Sequence, residues 1–438
     1  MPGKSRSRTC AGPSPAAVAL SLSLSCLPAA ASASGFAIYE QSVHAVANGG
    51  AFTARASDAG AVYFNPAGIM GLEGLQVMGG ATSIFLYQGS FVPGATGTRY
   101  EQADNVGFPF FLYAAHRVND RWGWGAGVNC PAGLKTEWGS EFEGRFISRE
   151  SDIAVISANL NLAAALGRGW SAAAGLDYVF ADIKTLSRNV DLTALGAPGV
   201  EGLSVLTGDG TDLGWNAALR WAGASGWRWG GSFRSAMRAS LEGEVEFSGI
   251  PAGLQPLFPS GPGTSELPLP ATFATGVAYV SPGGWEGEFD VVWTGWSDFD
   301  RLVIDIENNT FVNTPGGPVP VVADVNQDES WDDSFAFRAG VERRLAGGHA
   351  LRAGAYFDRT PICEDHLRPR LPDANRWSVQ AGYGYQAVSG LGVDVAYQAI
   401  FVEDREAVGD PTDPSNPVLP GEYGNFISRL GLALSWRF

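Results

Sequence analysis

Along most of this chain, apolar and polar residues alternate with a period of two. The clearest run closes the sequence. Phe426, Ser428, Leu430, Leu432, Leu434, Trp436 and Phe438 fall on one face, and Ile427, Arg429, Gly431, Ala433, Ser435 and Arg437 fall on the other. Successive side chains of a β-strand point to opposite sides, so this spacing predicts a strand with one apolar face and one small or polar face. The pattern recurs. Leu351, Ala353, Ala355 and Phe357 alternate with Arg352, Gly354, Tyr356 and Asp358. Trp377, Val379, Ala381, Tyr383 and Tyr385 alternate with Ser378, Gln380, Gly382, Gly384 and Gln386. Leu213, Trp215, Ala217, Leu219 and Trp221 alternate with Gly214, Asn216, Ala218 and Arg220. Repetition of this kind predicts an all-β fold, a transmembrane antiparallel barrel whose apolar faces meet lipid and whose small or polar faces look inward. Charges within the strands fall mainly on the inward face, where water or a plug can meet them.

The breaks between strands set their number. Short ones fall at 118–121, 167–169, 222–226, 281–284, 345–348 and 389–390. Long polar stretches lie near 89–104, 132–150, 188–211, 243–266, 307–330, 360–374 and 402–422. Tight turns and long loops alternate, as periplasmic turns and extracellular loops do, and together they predict about fourteen strands with both ends periplasmic. Trp122, Trp170, Trp227 and Trp285 each follow a tight turn. Amphipathic rings recurring there fit a girdle at the periplasmic membrane boundary.

Composition and the first residues place this barrel in a compartment. Only 17% of the 438 residues are charged, with 58 Gly, 14 Trp and 24 Phe. A neutral mean hydropathy built from alternating residues is what a membrane barrel gives. Residues 1–33 read as a signal peptide: Lys4, Arg6 and Arg8 form a basic start, Ala16 to Leu27 is uncharged and mostly apolar, and Ala31-Ser32-Ala33 offers a small-x-small cleavage site. The apolar run is too short to span a bilayer. Cleavage near Ala33 leaves a mature chain from Ser34, in a Gram-negative outer membrane. Cys26 follows Ser23-Leu24-Ser25, a poor lipobox. Cys130 and Cys363 survive processing and either pair in the oxidising periplasm or stay as buried thiols. The net charge of -16 argues against nucleic acid as a partner.

Residues 34–74 do not alternate cleanly, and they precede a complete set of strands over 75–438. They read Gly35-Phe36-Ala37-Ile38-Tyr39-Glu40-Gln41-Ser42, then Ala47-Asn48-Gly49-Gly50-Ala51 and Ser57-Asp58-Ala59-Gly60, and close with Phe64-Asn65-Pro66-Ala67-Gly68. This segment resembles the N-terminal hatch of the FadL/TodX family of outer-membrane transport proteins, whose hallmark is the Asn-Pro-Ala triplet. Further resemblances run through the chain. They include Pro131 to Trp138 with Gly144-Arg145-Phe146, Val292-Trp293-Thr294-Gly295-Trp296-Ser297-Asp298-Phe299, and Trp331-Asp332-Asp333-Ser334-Phe335. The most specific continues through Tyr356-Phe357-Asp358-Arg359-Thr360-Pro361 to Leu371-Pro372-Asp373-Ala374-Asn375-Arg376.

The resemblance implies a monomeric barrel plugged by its hatch, which binds a long-chain fatty acid or an aromatic hydrocarbon without ATP or cofactor. It implies that the hatch rearranges and that the ligand leaves sideways, through a kink in the third strand. Phe36, Asn65, Pro66 and Ala67 are the corresponding hatch residues, and Asn129, Pro131 and Gly133 mark the kink and exit. Pro131 has no N–H for the ladder, and Gly123, Gly125 and Gly127 leave that strand's inward face bare. Arg220, Arg228, Arg234, Arg338 and Arg352 are candidate lumen cations for a carboxylate head group or for lumen acids such as Glu286, Glu288, Asp290, Glu342 and Asp358. Expected partners are outer-membrane lipid and lipopolysaccharide, and the barrel assembly machinery through the terminal aromatic Phe438. Two other classes stay open to test. A general porin would lack the hatch segment, and an outer-membrane lipase needs a nucleophile beside a base. His44, His116, His349 and His366 lie in no recognisable catalytic motif. Asp324-Val325-Asn326-Gln327-Asp328 opens like a calcium loop, but Glu329 stands where the glycine is needed, so no metal is expected.

Overall fold

A computed structural model describes residues 35–314, 317–413 and 415–438. The signal peptide and its cleavage site lie outside the described residues. Fourteen antiparallel staves close into a barrel. They are β1 (Leu75–Pro93), β2 (Phe110–Arg117), β3 (Trp122–Glu137), β4 (Glu150–Gly167), β5 (Trp170–Asp191) and β6 (Glu201–Ala222). Then come β7 (Trp227–Arg234 and Met237–Ser248), β8 (Gly261–Leu269 and Thr272–Val280), β9 (Trp285–Thr294 and Arg301–Ile306) and β10 (Val325–Asp328 and Ser334–Arg344). The last are β11 (His349–Asp358), β12 (Arg376–Gln386), β13 (Leu391–Val402) and β14 (Gly421–Arg437). Each pairs with the next, and β1 pairs with β14 from Gln76↔Arg437 to Pro93↔Gly421, so no edge is left for lipid to strip.

The lipid-facing positions are those the alternation predicts. Leu430, Leu432, Leu434 and Trp436 on β14 are exposed, as are Leu160 and Leu162 on β4 and Leu213 and Trp215 on β6. Trp122, Trp170, Trp227 and Trp285 are all exposed at the starts of their strands.

Two expectations need correction. Strands run on into stretches that read as loops: β5 reaches Asp191 and β6 begins at Glu201, so little but 192–200 joins them. The 307–330 stretch also holds a separate hairpin of Thr310–Thr314 with Gly317–Val322. Ladder hydrogen bonds need only backbone, so pairing continues above the bilayer where the side chains turn polar. The second correction concerns the inward face, which is not small or polar throughout. In the extracellular half of β7, Met237, Ala239, Leu241 and Val245 are buried inside, while Arg238, Ser240, Glu242 and Glu244 are exposed outside. Water replaces lipid on the outer wall at that height, so the phase of the alternation inverts.

The segment from Gly35 to Leu72 lies inside the barrel as helix α1 (Val43–Ala47), helix α2 (Ala61–Phe64) and a 3-10 turn (Pro66–Gly71). Gly49 and Gly50, both at positive φ, end α1 in a conformation other residues avoid. The wall is carved to receive it. A Cβ on Gly340, Gly354 or Gly382, in β10, β11 and β12, would strike the backbone or side chains of residues 47–49. A Cβ on Gly123 or Gly125 of β3 would strike Ile69 and Val62.

Candidate functional site

The segment inside the barrel, residues 35–72, which corresponds to the expected hatch, is held to the wall by buried charge and by backbone capping. Glu286, Glu288 and Asp290 alternate along β9 and point inward, all nearly inaccessible. Asp290 Oδ2 accepts from the N–H groups of Phe52 and Thr53, at 2.9 Å each. Glu288 accepts from Ala54 N at 2.5 Å and from Arg55 Nε at 2.7 Å, and Arg55 is fully buried. The Asn-Pro-Ala triplet performs the same task on the other side. Asn65 Nδ2 donates to Thr53 O (2.8 Å) and Leu219 O (3.1 Å), its Oδ1 caps Ala67 N, and Ser171 Oγ donates to Ala67 O. Pro66 opens the 3-10 turn at a position that needs no N–H. These contacts tie Asn65 and Ala67 to the barrel wall.

The five candidate cations face the hatch and one another. Arg220 Nε donates to Ala54 O at 2.7 Å, Arg234 pairs with Asp177, Arg338 lies over the Tyr39 ring beside Asp358, and Arg352 binds Glu342 and Asp394. Arg228 sits within electrostatic reach of Glu286. None of the five lines the apolar pocket described next.

That pocket lies in the extracellular half of the lumen. Leu134, Ile153, Ile183, Leu206, Leu241 and Leu302 bring it apolar walls from β3 to β9, and Phe36 of the hatch reaches into it. The Phe36 ring stands 4.8 Å from Trp296, 6.0 Å from Trp331 and 6.2 Å from Phe299. With Phe36 in place the cavity is only about 50 Å³. Its charged lining residues are Arg368, Arg370, His366, Glu329 and Glu266. Glu329 pairs with Arg368 at 2.6 Å and reaches Arg370 only at 3.5 Å. Arg188, exposed near the end of β5, is within electrostatic reach of Arg370 but does not line the pocket. Arg370 thus has its nearest side-chain partner in the neutral Gln327, at 2.9 Å.

Beside the pocket, β3 departs from its ladder. Pairing with β2 stops at Asn129, and the register with β4 shifts between Asn129 and Ala132. The freed backbone is taken up by the hatch. Ile38 N donates to Pro131 O at 2.8 Å, Gly133 N donates to Phe36 O at 3.0 Å, and Ala37 bridges Ala132. Asn129 is buried and donates to the Tyr113 hydroxyl at 3.2 Å. Phe36, Pro131 and Gly133 thus meet at one place, about which the triplet is not arranged.

Sequence reasoning did not find the pocket. Trp296, Phe299 and Trp331 belong to stretches that resemble the family, yet nothing local says that they cage Phe36. The inverted alternation in the upper strands was the available signal. Cys130 is a free thiol, so it does not pair with Cys363 in this structure. Asp324 caps Ile306 N and Asn309 Nδ2, and no cluster of metal-ligating side chains occurs among the described residues.

Comparison with known proteins places these features. Residues 24–438 match the family model described as outer membrane protein transport protein (OMPP1/FadL/TodX). The chain is 25% identical over 367 residues to a long-chain fatty acid transport protein of Salmonella typhi, covering 78% of this chain and 81% of that one. It is 24% identical over 377 residues to the long-chain fatty acid transport protein of Escherichia coli K12, with the same coverage. Among solved structures, a Pseudomonas aeruginosa FadL homologue superposes with a TM-score of 0.75 at 19% identity, covering 92% of this chain and 99% of that chain. The Pseudomonas putida toluene transporter TodX superposes with a TM-score of 0.66 at 15% identity, covering 90% and 97%.

Proposed function

The chain belongs to the OMPP1/FadL/TodX family of outer membrane transport proteins, and from that premise we propose that its cargo is a long-chain fatty acid. The family makes it an outer-membrane channel for hydrophobic compounds and not an enzyme. The observation that carries the choice of cargo is Arg370 at the polar end of a mostly apolar pocket, reached by Glu329 only at 3.5 Å. A carboxylate head answers Arg370, and the acyl tail answers the leucines and isoleucines below. A neutral aromatic hydrocarbon, the second reading, has no use for that charge.

Entry and exit are one movement in this reading. The closed cavity is far too small for an acyl chain, so Phe36 must leave it. The Phe36 carbonyl also takes the Gly133 N–H, so its withdrawal unpairs the inner edge of β3 at the same moment. A hydrophobic chain gains about 0.8 kcal/mol for each methylene kept from water. A gap opening directly into the bilayer spares that loss, and unpaired backbone is tolerable there only beside a protein-filled or watery cavity. Asn129, Pro131 and Gly133 border the proposed exit.

The test pairs native mass spectrometry of copurified lipid with binding measurements. Fatty acid is expected to copurify. Replacing Arg370→Gln is expected to weaken fatty acid binding about tenfold, the loss of one charge-assisted hydrogen bond, and to leave toluene binding unchanged. Equal losses for both ligands would refute the head-group assignment.

A further inference from the structure

His44 of α1 sits between two buried carboxylates. Its Nδ1 lies 2.6 Å from Asp58 Oδ2, within the hatch, and its Nε2 lies 2.7 Å from Glu342 Oε2, on β10 of the wall. Carboxylates accept, so an imidazole that bonds both must donate from both nitrogens, and only the imidazolium does that. We propose that His44 is a proton-operated latch: its protonated ring pins the hatch to the wall, and loss of the proton releases that tie.

Every facing charge bears on the latch. From the hatch comes Asp58, whose other oxygen is held, among the described residues, only by Gly60 N at 2.8 Å. From β10 come Glu342 and Arg344, and from β11 Arg352, whose Nε binds the same Glu342 oxygen at 2.7 Å. Asp394 of β13 holds the far side of Arg352. Arg55 and its carboxylates on β9 lie beyond Phe52, whose ring packs on His44. From β1 and β12 the groups are the neutral Gln76, Tyr385 and Gln386, and from β14 Arg437. Burial and Arg352 oppose the charge on His44, but Glu342 and Asp58 outweigh them and raise its pKa above the ordinary value.

The arrangement decides which bond fails. A neutral ring keeps one N–H. Glu342 retains Arg352 and Arg344, whereas Asp58 has little else, so the proton stays toward Asp58. A lone pair then faces Glu342, and it is the contact between hatch and wall that turns repulsive. Protons have a route: a polar cavity of about 270 Å³ is lined by His44, Asp58 and Glu342 and extends to Gly348 and His349 at a tight turn. The latch is whole below the raised pKa and is lost as pH rises through it. It adds a control to the hatch movement proposed above, and a test without ligand separates its failure from failure of the fatty acid reading.

The experiment is small-ion conductance of the full mature protein in planar bilayers between pH 6 and 9. Wild type is expected to conduct little at pH 6 and at least threefold more by pH 9, with a single-proton midpoint above the ordinary imidazole value of about 6.5. His44→Lys, a cation throughout this range, is expected to stay closed, and His44→Gln to be open and flat from pH 6. Glu342→Gln, a neutral partner in the same place, is expected to fold and to move the midpoint downward. His349 also lines the cavity, bonded to the Tyr383 hydroxyl at 2.6 Å. A rise that persists in His44→Lys, a wild type flat across the range, or a midpoint unmoved by Glu342→Gln overturns the proposal.

Discussion

At the scale of single residues, the lumen is governed by the cost of burying charge. Arg55 is fully buried, and its Nε answers a Glu288 side chain that is equally inaccessible, with Glu286 at 3.9 Å. Removing one member of a buried pair strands the other, at a cost of roughly 3–5 kcal/mol. Arg55→Met is therefore expected to loosen the hatch while leaving the barrel, whose ladder it does not touch, intact. Hydrogen exchange should rise at residues 51–58 and not in β11–β14, and Arg55→Met with Glu288→Gln should recover part of the protection. Unchanged exchange at residues 51–58 would show that the pair is not what holds this turn. Alternation along the chain places these charges on inward-facing positions but does not reveal their partners. Arg55 lies more than two hundred residues from Glu288, and only closure of the barrel brings them together.

At the scale of elements, β3 is the strand that does two things. Its lower half pairs with β2 and β4 and makes room for Ile69 and Val62 with Gly123 and Gly125. Its upper half gives up β2 and pairs with the hatch arm through Pro131 and Gly133. Proline can accept but not donate, which suits a residue whose carbonyl alone is used. Pro131→Val with Gly133→Thr restores a donor and strand-forming side chains, and is expected to narrow the proposed exit. Uptake of a long-chain fatty acid should slow several-fold, while heat-modifiable folding and surface level stay near wild type. Wild-type uptake by a well-folded double variant would mean that ligand leaves by another path.

At the scale of the whole molecule, the hatch and the barrel are separable in kind. The barrel closes on itself through β1 and β14 without any hatch residue in its ladder, apart from the short bridge at Ala37 and Ala132. Deleting residues 34–72 is expected to leave a folded, heat-modifiable barrel with several-fold higher conductance for small ions. A properly folded deletion variant with unchanged conductance would mean that this segment does not block the lumen. The same deletion exposes Glu286, Glu288, Asp290 and Glu342 to water in the lumen, so selectivity for cations should rise with conductance.

What the sequence determined by itself is whatever repeats at short range. A period of two, tight turns alternating with long loops, and tryptophans after the turns are enough for an antiparallel membrane barrel of about fourteen strands, because lipid imposes one rule on every outward position. The hatch stood out for the opposite reason, as the stretch that does not repeat. Only the tertiary structure decided where Phe36 goes, which acids hold the hatch, and that His44 lies between Asp58 and Glu342. Those contacts join residues far apart in the chain, and the inside of the barrel offers no single solvent to impose a rule. Each inward side chain is fixed by whichever partner barrel closure happens to set opposite it.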